Sequence, residues 1–251
     1  MFIRHTKEEA RGQVRELASM FRRNLRHYKS DDYLEANVRS EFIEKLLIAL
    51  NWDVDNENGV APRYKEVVFE ARASERGKIN HPDYAVCVGG SPVFYVEAKP
   101  PSVKVLHADK YALQLRRYAY SQRKPLSILT DFEELAVYDT RQAPQDNDTA
   151  DVARIKYIAF DKYDEEFDYL WDTFSYDAVT RGSIDTYFDR NDGDYSKNDV
   201  NDEMLEAVED WRSMMVKAIR MKGGRLTEDN FNMAVQRLIN RFVYIWRDKG
   251  Y

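Results

Sequence analysis

The chain has 251 residues, 43% hydrophobic and 13% aromatic, which is enough for a sizeable core and an appended segment. Its 38 Lys and Arg against 44 Asp and Glu give a net charge of −6, which argues against a surface that is basic throughout, although a local basic stripe can still hold phosphate. One cysteine excludes a disulfide framework and a multi-cysteine zinc site. No apolar run approaches the roughly 18 residues that span a membrane, and none follows the N-terminal charges, so we expect a cytoplasmic protein that does not bind membranes.

The N-terminal part of the chain has helical periodicity. Residues 6–28 place Val14, Leu17, Phe21 and Leu25 on one face, which predicts a helix. Residues 33–54 predict a second helix that ends at the turn residues 55–59. Its apolar stripe comprises Leu34, Val38, Phe42, Leu46, Leu47 and Leu50.

Beyond residue 60 the pattern becomes that of an α/β domain. Strands are predicted at 64–71, 83–88, 93–99, 126–130, 135–139 and 153–160, with Gly89-Gly90 turning the hairpin and a helix at 107–122. This predicts an α/β core over residues 1–162. Residues 163–251 predict a helical connector segment, with helical spacing at 163–181, a polar linker at 190–202 and helices at 203–221 and 226–248.

The predicted hairpin carries acids at one end. Glu97 and Lys99 lie on one face of the second strand because side chains alternate, and Asp83 on the neighbouring strand can lie beside Glu97. Two adjacent carboxylates repel each other unless a cation sits between them, and Mg²⁺ prefers oxygen ligands. Lys99 can orient a water or stabilise charge on a phosphoryl group. The alternative is an ordinary exposed strand end with a Glu–Lys pair.

These residues carry a family resemblance. Pro82-Asp83 and Glu97-Ala98-Lys99 resemble the two core motifs of the PD-(D/E)xK nuclease superfamily. Gln114 and Tyr118, four residues apart on one helix face, look like the Q-x-x-x-Y motif of RecB-like and restriction-enzyme nuclease domains. Residues 35–54 resemble the first motif of type I restriction subunits and of fused type IIG restriction–methylation enzymes. The C-terminal part is similar to the helical connector of those fused enzymes.

The resemblance implies a restriction-endonuclease-like core, a mixed central sheet flanked by helices, and a prokaryotic DNA endonuclease of a restriction system. It implies that Asp83, Glu97 and the helical Glu35 bind Mg²⁺, for which Mn²⁺ would substitute. It further implies that Lys99 assists the attacking water and that Gln114 positions phosphate or a water.

Double-stranded DNA is the expected partner. Tyr118, Arg116, Arg117 and Lys104 are candidate DNA contacts, although core packing for Tyr118 and a solvated surface for the cations remain open. Two copies are expected to pair transiently on DNA, since one site cuts one strand. No S-adenosylmethionine loop or P-loop is present, so methyltransferase and target-recognition domains would be fused or separate.

Some departures and alternatives remain. Asn51 precedes Trp52, where many relatives have glycine. Glu41 and Glu44 are competing helical acids that we interpret as solvated surface, and His81 is interpreted as supporting a loop. Two other functions stay open: a repair-type or single-strand exonuclease of the same fold, and a non-cleaving DNA-binding or assembly module.

Overall fold

A computed structural model describes residues 1–69 and 82–188. These belong to the first of two compact units into which the chain divides, Met1–Arg190. The predicted linker at 190–202, the helices at 203–221 and 226–248, and His81 lie outside the described residues. Within the described ranges, every helix falls short of the length and hydropathy that crossing a membrane requires.

The N-terminal helices begin where the sequence supplies capping groups. Helix α1 (Lys7–Arg23) starts at Thr6, whose side chain forms a capping box with Glu9, and α2 (Leu25–Tyr28) follows directly. Helix α3 (Glu35–Val38), a π-helical stretch (Arg39–Ile43) and α4 (Glu44–Ala49) follow one another without a break. The prediction for Leu34 was wrong: it occupies the N-cap position before α3 and is 60% exposed, so it lies outside the buried stripe.

One mixed sheet organises the described residues. Its strands are β1 (Val67–Phe69), β2 (Tyr84–Val88), β3 (Ser91–Ala98), β4 (Leu126–Thr130), β5 (Glu134–Asp139) and β6 (Arg154–Ala159). They lie side by side in sequence order, and all pairs are antiparallel except β3 with β4. The parallel pair is joined by a crossover containing α5 (Asp109–Ser121). The predicted α/β core with a mixed sheet and flanking helices is confirmed.

The β2–β3 turn explains the two glycines. Gly89 and Gly90 have φ angles of 61° and 86°, which a tight hairpin turn requires and glycine adopts readily. A Cβ on Gly90 would also come within 2.3 Å of the Arg63 carbonyl oxygen. Short 3₁₀ turns cover Pro62–Tyr64, Val105–His107 and Phe160–Lys162.

The sheet separates two apolar clusters because side chains alternate along each strand. Val86, Phe94 and Val96 pack with α1 and α4, whereas Ala85, Tyr95 and Leu129 pack with α5 on the other face. Glu97 follows Tyr95 by two positions and therefore lies on the α5 face.

The residues after β6 join the first of these clusters. Helices α6 (Phe167–Phe174) and α7 (Tyr176–Thr180) bury Phe167, Leu170 and Val179 in it. These helices fall in the predicted connector, 163–251, and the boundary at residue 162 stays a prediction.

Candidate active site

The β2–β3 register brings Asp83 and Glu97 together. Tyr84 pairs with Val96, so Asp83, one residue earlier, lies opposite Glu97. The Oδ2 atom of Asp83 accepts the backbone N–H of Ala98 at 2.7 Å. The side chains of Asp83 and Glu97 are only 13% and 6% exposed. The two carboxylates therefore lie side by side and largely buried, at the start of β2 and the end of β3, on the face of the sheet that packs against α5.

Lys99 sits between the strand acids and the helix acid. Its Nζ lies 2.9 Å from Oε1 of Glu97 and 3.2 Å from Oε2 of Glu35, the first residue of α3. Its backbone N–H donates to the Thr130 carbonyl at 2.9 Å, which continues the β3–β4 pairing past the end of β3. Two predicted metal ligands thus contact the same ammonium group, and the Lys99 side chain is 9% exposed.

The charges at this site are strongly coupled. Burial raises the pKa of Glu97 to about 7; Lys99 opposes the shift, and the nearby charges of Asp83 and Glu35 add to it. Burial disfavours the Lys99 ammonium, but the attraction of Glu97 and Glu35 outweighs it, so the pKa of Lys99 is raised. A site that suppresses ionisation of Glu97 despite a neighbouring lysine is electrostatically suited to additional positive charge.

Arg39 holds the other side of Asp83. Its Nη1 donates to Asp83 Oδ1 and its Nε to the Tyr84 hydroxyl, both at 3.1 Å. The Tyr84 hydroxyl in turn donates to Glu44 at 3.1 Å, so Glu44 is bound into the network and is not the solvated acid that we expected. Arg39 is also the first residue of the π-helical stretch, an irregularity that recurs at functional sites.

The donor set fits a hard divalent cation in its chemistry. Asp83 and Glu97 supply carboxylate oxygens from neighbouring strands, and Glu35 supplies a third near Lys99. Among residues 1–69 and 82–188, no three His, Cys, Asp or Glu side chains are placed as a ready-made metal-binding group. Mg²⁺ commonly uses one or two carboxylates and completes its shell with water and phosphate, so a two-carboxylate site remains compatible with it.

Helix α5 places the remaining predicted catalytic residue near this face. Gln114 is half-buried, and its side chain makes no hydrogen bond within the described part of the chain. Tyr118, one turn later, packs edge-on against Tyr95 with ring centroids 4.9 Å apart. The placement of Tyr118 is that of a packing residue on the same face as Glu97, while the role of Gln114 stays a prediction.

The predicted DNA-contacting cations differ in their surroundings. Arg116 is 2% exposed and its Nη1 donates to Asp148 at 2.8 Å, so its placement gives no support to a DNA contact. Arg117 is half-exposed and ion-paired with Asp146. Lys104 is exposed just before the 3₁₀ turn Val105–His107. The DNA contacts of Arg117 and Lys104 stay predictions.

Sequence reasoning missed Tyr111. The Lys99 Nζ lies 4.8 Å from the centre of the Tyr111 ring, on the first turns of α5. A cation over an aromatic face is attracted by the ring quadrupole, so Tyr111 helps to fix the lysine that also contacts Glu35 and Glu97. The available signal was the spacing: Tyr111 lies one helical turn before Gln114, on the helix that already carried two candidate residues.

Comparisons with known proteins bear on the kind of domain this is. Residues 64–146 match the family described as type I restriction enzyme R protein N terminus. Over 237 residues, 93% of this chain, the sequence is 29% identical to the type II restriction enzyme and methyltransferase RM.Eco57I of Escherichia coli. Both matches support a restriction-endonuclease-like domain. The chain spans 24% of the length of that relative. No solved structure matches the chain at a significant level.

Proposed function

We propose that this chain is a Mg²⁺-dependent DNA endonuclease domain of a restriction–modification system that hydrolyses phosphodiester bonds. The observation that supports it most is the placement of Asp83 opposite Glu97, with Lys99 touching both Glu97 and Glu35. Acids from two strands and a helix beside one lysine are the groups that metal-assisted phosphodiester hydrolysis uses.

Each residue has a distinct part in this proposal. Asp83 and Glu97 hold the metal ion, with Glu35 contributing directly or through water. Bound there, the ion supplies Lewis-acid polarisation and charge neutralisation at the phosphate. Lys99 orients the attacking water, Arg39 fixes the Asp83 carboxylate, and Gln114 positions phosphate or water.

The proposed substrate is double-stranded DNA. Because one site cuts one strand, two copies pair transiently on the duplex. The E. coli relative combines a restriction enzyme and a methyltransferase in its name, so we propose that modification and target recognition come from partner domains or subunits. A double-strand cut rate that rises more steeply than linearly with protein concentration is expected. Strictly linear nicking without double-strand cuts would contradict pairing.

The test is cleavage of supercoiled plasmid with Mg²⁺ or Mn²⁺. Asp83→Asn and Glu97→Gln should abolish cleavage, while Asp32→Asn, an exposed acid outside the site, should retain it. Circular dichroism confirms equal folding of the variants. Equal activity of all four proteins would refute the proposal.

One observation favours a second candidate, a non-cleaving DNA-binding or assembly module. Both strand acids already have protein cations as partners, Asp83 with Arg39 and Glu97 with Lys99. In that function Asp83 and Glu97 only connect the ends of β2 and β3 to α3 and to the residues that follow it. Metal titration separates the two functions, because a purely structural cluster binds no Mn²⁺.

A further inference from the structure

A chain of hydrogen bonds runs from Asp83 to the helical segment that follows α3. Arg39 donates to Asp83 Oδ1 through Nη1 and to the Tyr84 hydroxyl through Nε, both at 3.1 Å. The Tyr84 hydroxyl donates to Glu44 Oε1, also at 3.1 Å. A predicted metal ligand is thereby connected, through one guanidinium and one hydroxyl, to the first residue of α4.

The π-helical stretch makes this chain of contacts possible. Arg39 and Glu44 are five residues apart, and in a regular α-helix such residues point about 140° away from each other around the axis. A π turn has i→i+5 hydrogen bonds, and here the Glu44 N–H donates to the Arg39 carbonyl. This wider turn aligns the two residues, so both side chains reach the same Tyr84 hydroxyl.

Tyr84 is a rigid anchor for Arg39. It is fully buried in β2, the strand between β1 and β3, and it pairs with Phe69 on one side and Val96 on the other. Its ring lies 4.9 Å from the Arg39 guanidinium carbon, within the range of a cation–ring attraction. The hydroxyl fixes the direction of the Nε–H bond. Because a guanidinium is planar, this also fixes the direction in which Nη1 points.

The Asp83 carboxylate is held from two directions as a result. Nη1 of Arg39 binds Oδ1, and the backbone N–H of Ala98 binds Oδ2 at 2.7 Å. One donor comes from the helical segment and the other from β3, the strand that carries Glu97, so the carboxylate is oriented relative to Glu97. Removing a group that orients a metal ligand typically lowers metal affinity or activity by about 10- to 100-fold.

We propose that Tyr84 and Glu44 are positioning residues of the active site, which act on Asp83 through Arg39. Glu44 accepts the hydrogen bond of the Tyr84 hydroxyl, which leaves the oxygen lone pairs directed at the Arg39 Nε–H. Tyr84 directs the guanidinium, and the guanidinium sets the orientation in which Asp83 meets a metal ion. The inference rests on the proposed function, because it gives these residues a part in metal binding and cleavage.

The first test is a double-mutant cycle between Tyr84→Phe and Asp83→Asn, measured by urea unfolding in EDTA. Tyr84→Phe keeps the ring and removes only the neutral hydroxyl. Groups in one hydrogen-bond network do not contribute additively to stability, so Tyr84→Phe should cost less stability in Asp83→Asn than in the wild type. An equal cost in both backgrounds would overturn the proposal. This measurement needs neither metal nor cleavage.

The second test combines Mn²⁺ calorimetry with single-turnover cleavage of supercoiled plasmid. Tyr84→Phe should weaken Mn²⁺ binding roughly tenfold and slow cleavage at saturating metal to a similar degree. The DNA concentration that gives the half-maximal rate should not change, because Tyr84 is fully buried and cannot touch DNA. Arg39 keeps its charge in this variant, so the change reports orientation. Tyr138→Phe, the matched control, removes a buried hydroxyl that donates to the Ala150 carbonyl at 2.7 Å; it should lower stability without changing affinity or rate.

Variants of Glu44 complete the test. Glu44→Gln keeps an oxygen that accepts the Tyr84 hydrogen bond, so it should recover most of the affinity and rate that Glu44→Leu loses. Wild-type affinity and rate in both Tyr84→Phe and Glu44→Leu would overturn the positioning role, while cleavage by the wild type and not by Asp83→Asn would still support the proposed function. A wild type that neither binds Mn²⁺ nor cleaves plasmid would refute the proposed function, and the network would then be purely structural.

Discussion

Replacing Lys99 with Met removes the ammonium group and keeps most of the side-chain volume. In the wild type this group contacts the nearly buried Glu97 at 2.9 Å and the more exposed Glu35 at 3.2 Å. A hydrogen bond to a buried charged group contributes about 1.5–3 kcal/mol, and the partly exposed bond adds about 0–1 kcal/mol. The metal-free variant should therefore lose about 1.5–4 kcal/mol of unfolding free energy.

The same substitution should strengthen metal binding. In the proposed site Lys99 and the metal ion compete for the Glu97 carboxylate, so removing the ammonium should tighten Mn²⁺ binding roughly ten- to hundredfold. DNA cleavage should nevertheless be lost, because the group that orients water is absent. Tighter metal binding with lost activity distinguishes a functional lysine from a merely structural one.

The assays are urea unfolding in EDTA, Mn²⁺ calorimetry and plasmid cleavage. Lys45→Met, which changes an exposed lysine on α4, is the matched control and should change none of the three. Mn²⁺ affinity that is unchanged or weaker in Lys99→Met would refute the competition. Retained cleavage would refute the catalytic role of Lys99.

Three further predictions concern the surroundings of the site. Arg39→Leu removes the group that donates to the Asp83 carboxylate at 3.1 Å, so it should lower the free energy of unfolding in urea by about 1.5–3 kcal/mol. Arg39→Lys should recover part of this loss. Equal stability of the wild type and both variants would contradict the prediction. Tyr111→Leu removes the ring that contacts the Lys99 ammonium, so it should lower the single-turnover cleavage rate severalfold. Tyr111→Phe keeps the ring and should leave the rate unchanged. Similar rates for the two variants would argue against the cation–ring contact. Burial raises the pKa of Asp131, so the folded state binds more protons than the unfolded state, and stability falls as pH rises above the ordinary value of 3.8. The free energy of unfolding of Asp131→Asn minus that of the wild type should therefore be larger at pH 7 than at pH 4. A difference that does not change with pH would contradict the burial effect.

Local patterns in the sequence predicted most of the described fold. The alternation around Gly89-Gly90 specified both the hairpin and its turn, and therefore the pairing of Asp83 with Glu97. These features depend on the spacing of apolar residues, on the turn residues and on strands that are adjacent in the chain, all of which can be seen in the sequence. The placement of Glu35 beside Lys99 came from a family resemblance, because no local pattern relates residues so far apart in the chain.

The errors and omissions arose from contacts between distant segments. Arg116 appeared to belong to a basic surface stripe because Asp148, its ion-pair partner, lies beyond β5 and far from Arg116 in the sequence. Glu44 was predicted to be solvated because the sequence does not show that the Tyr84 hydroxyl donates to it from a distant strand. Leu34 fits the helical period but precedes the first helical residue, and periodicity defines helix ends poorly.

The most direct test of the proposed function is a crystal of this chain soaked in Mn²⁺ and measured at the manganese absorption edge. The proposal predicts an anomalous peak bound by the carboxylates of Asp83 and Glu97, with the Lys99 ammonium moved away from Glu97. An absence of any peak there, with Lys99 still bridging Glu35 and Glu97, would contradict it.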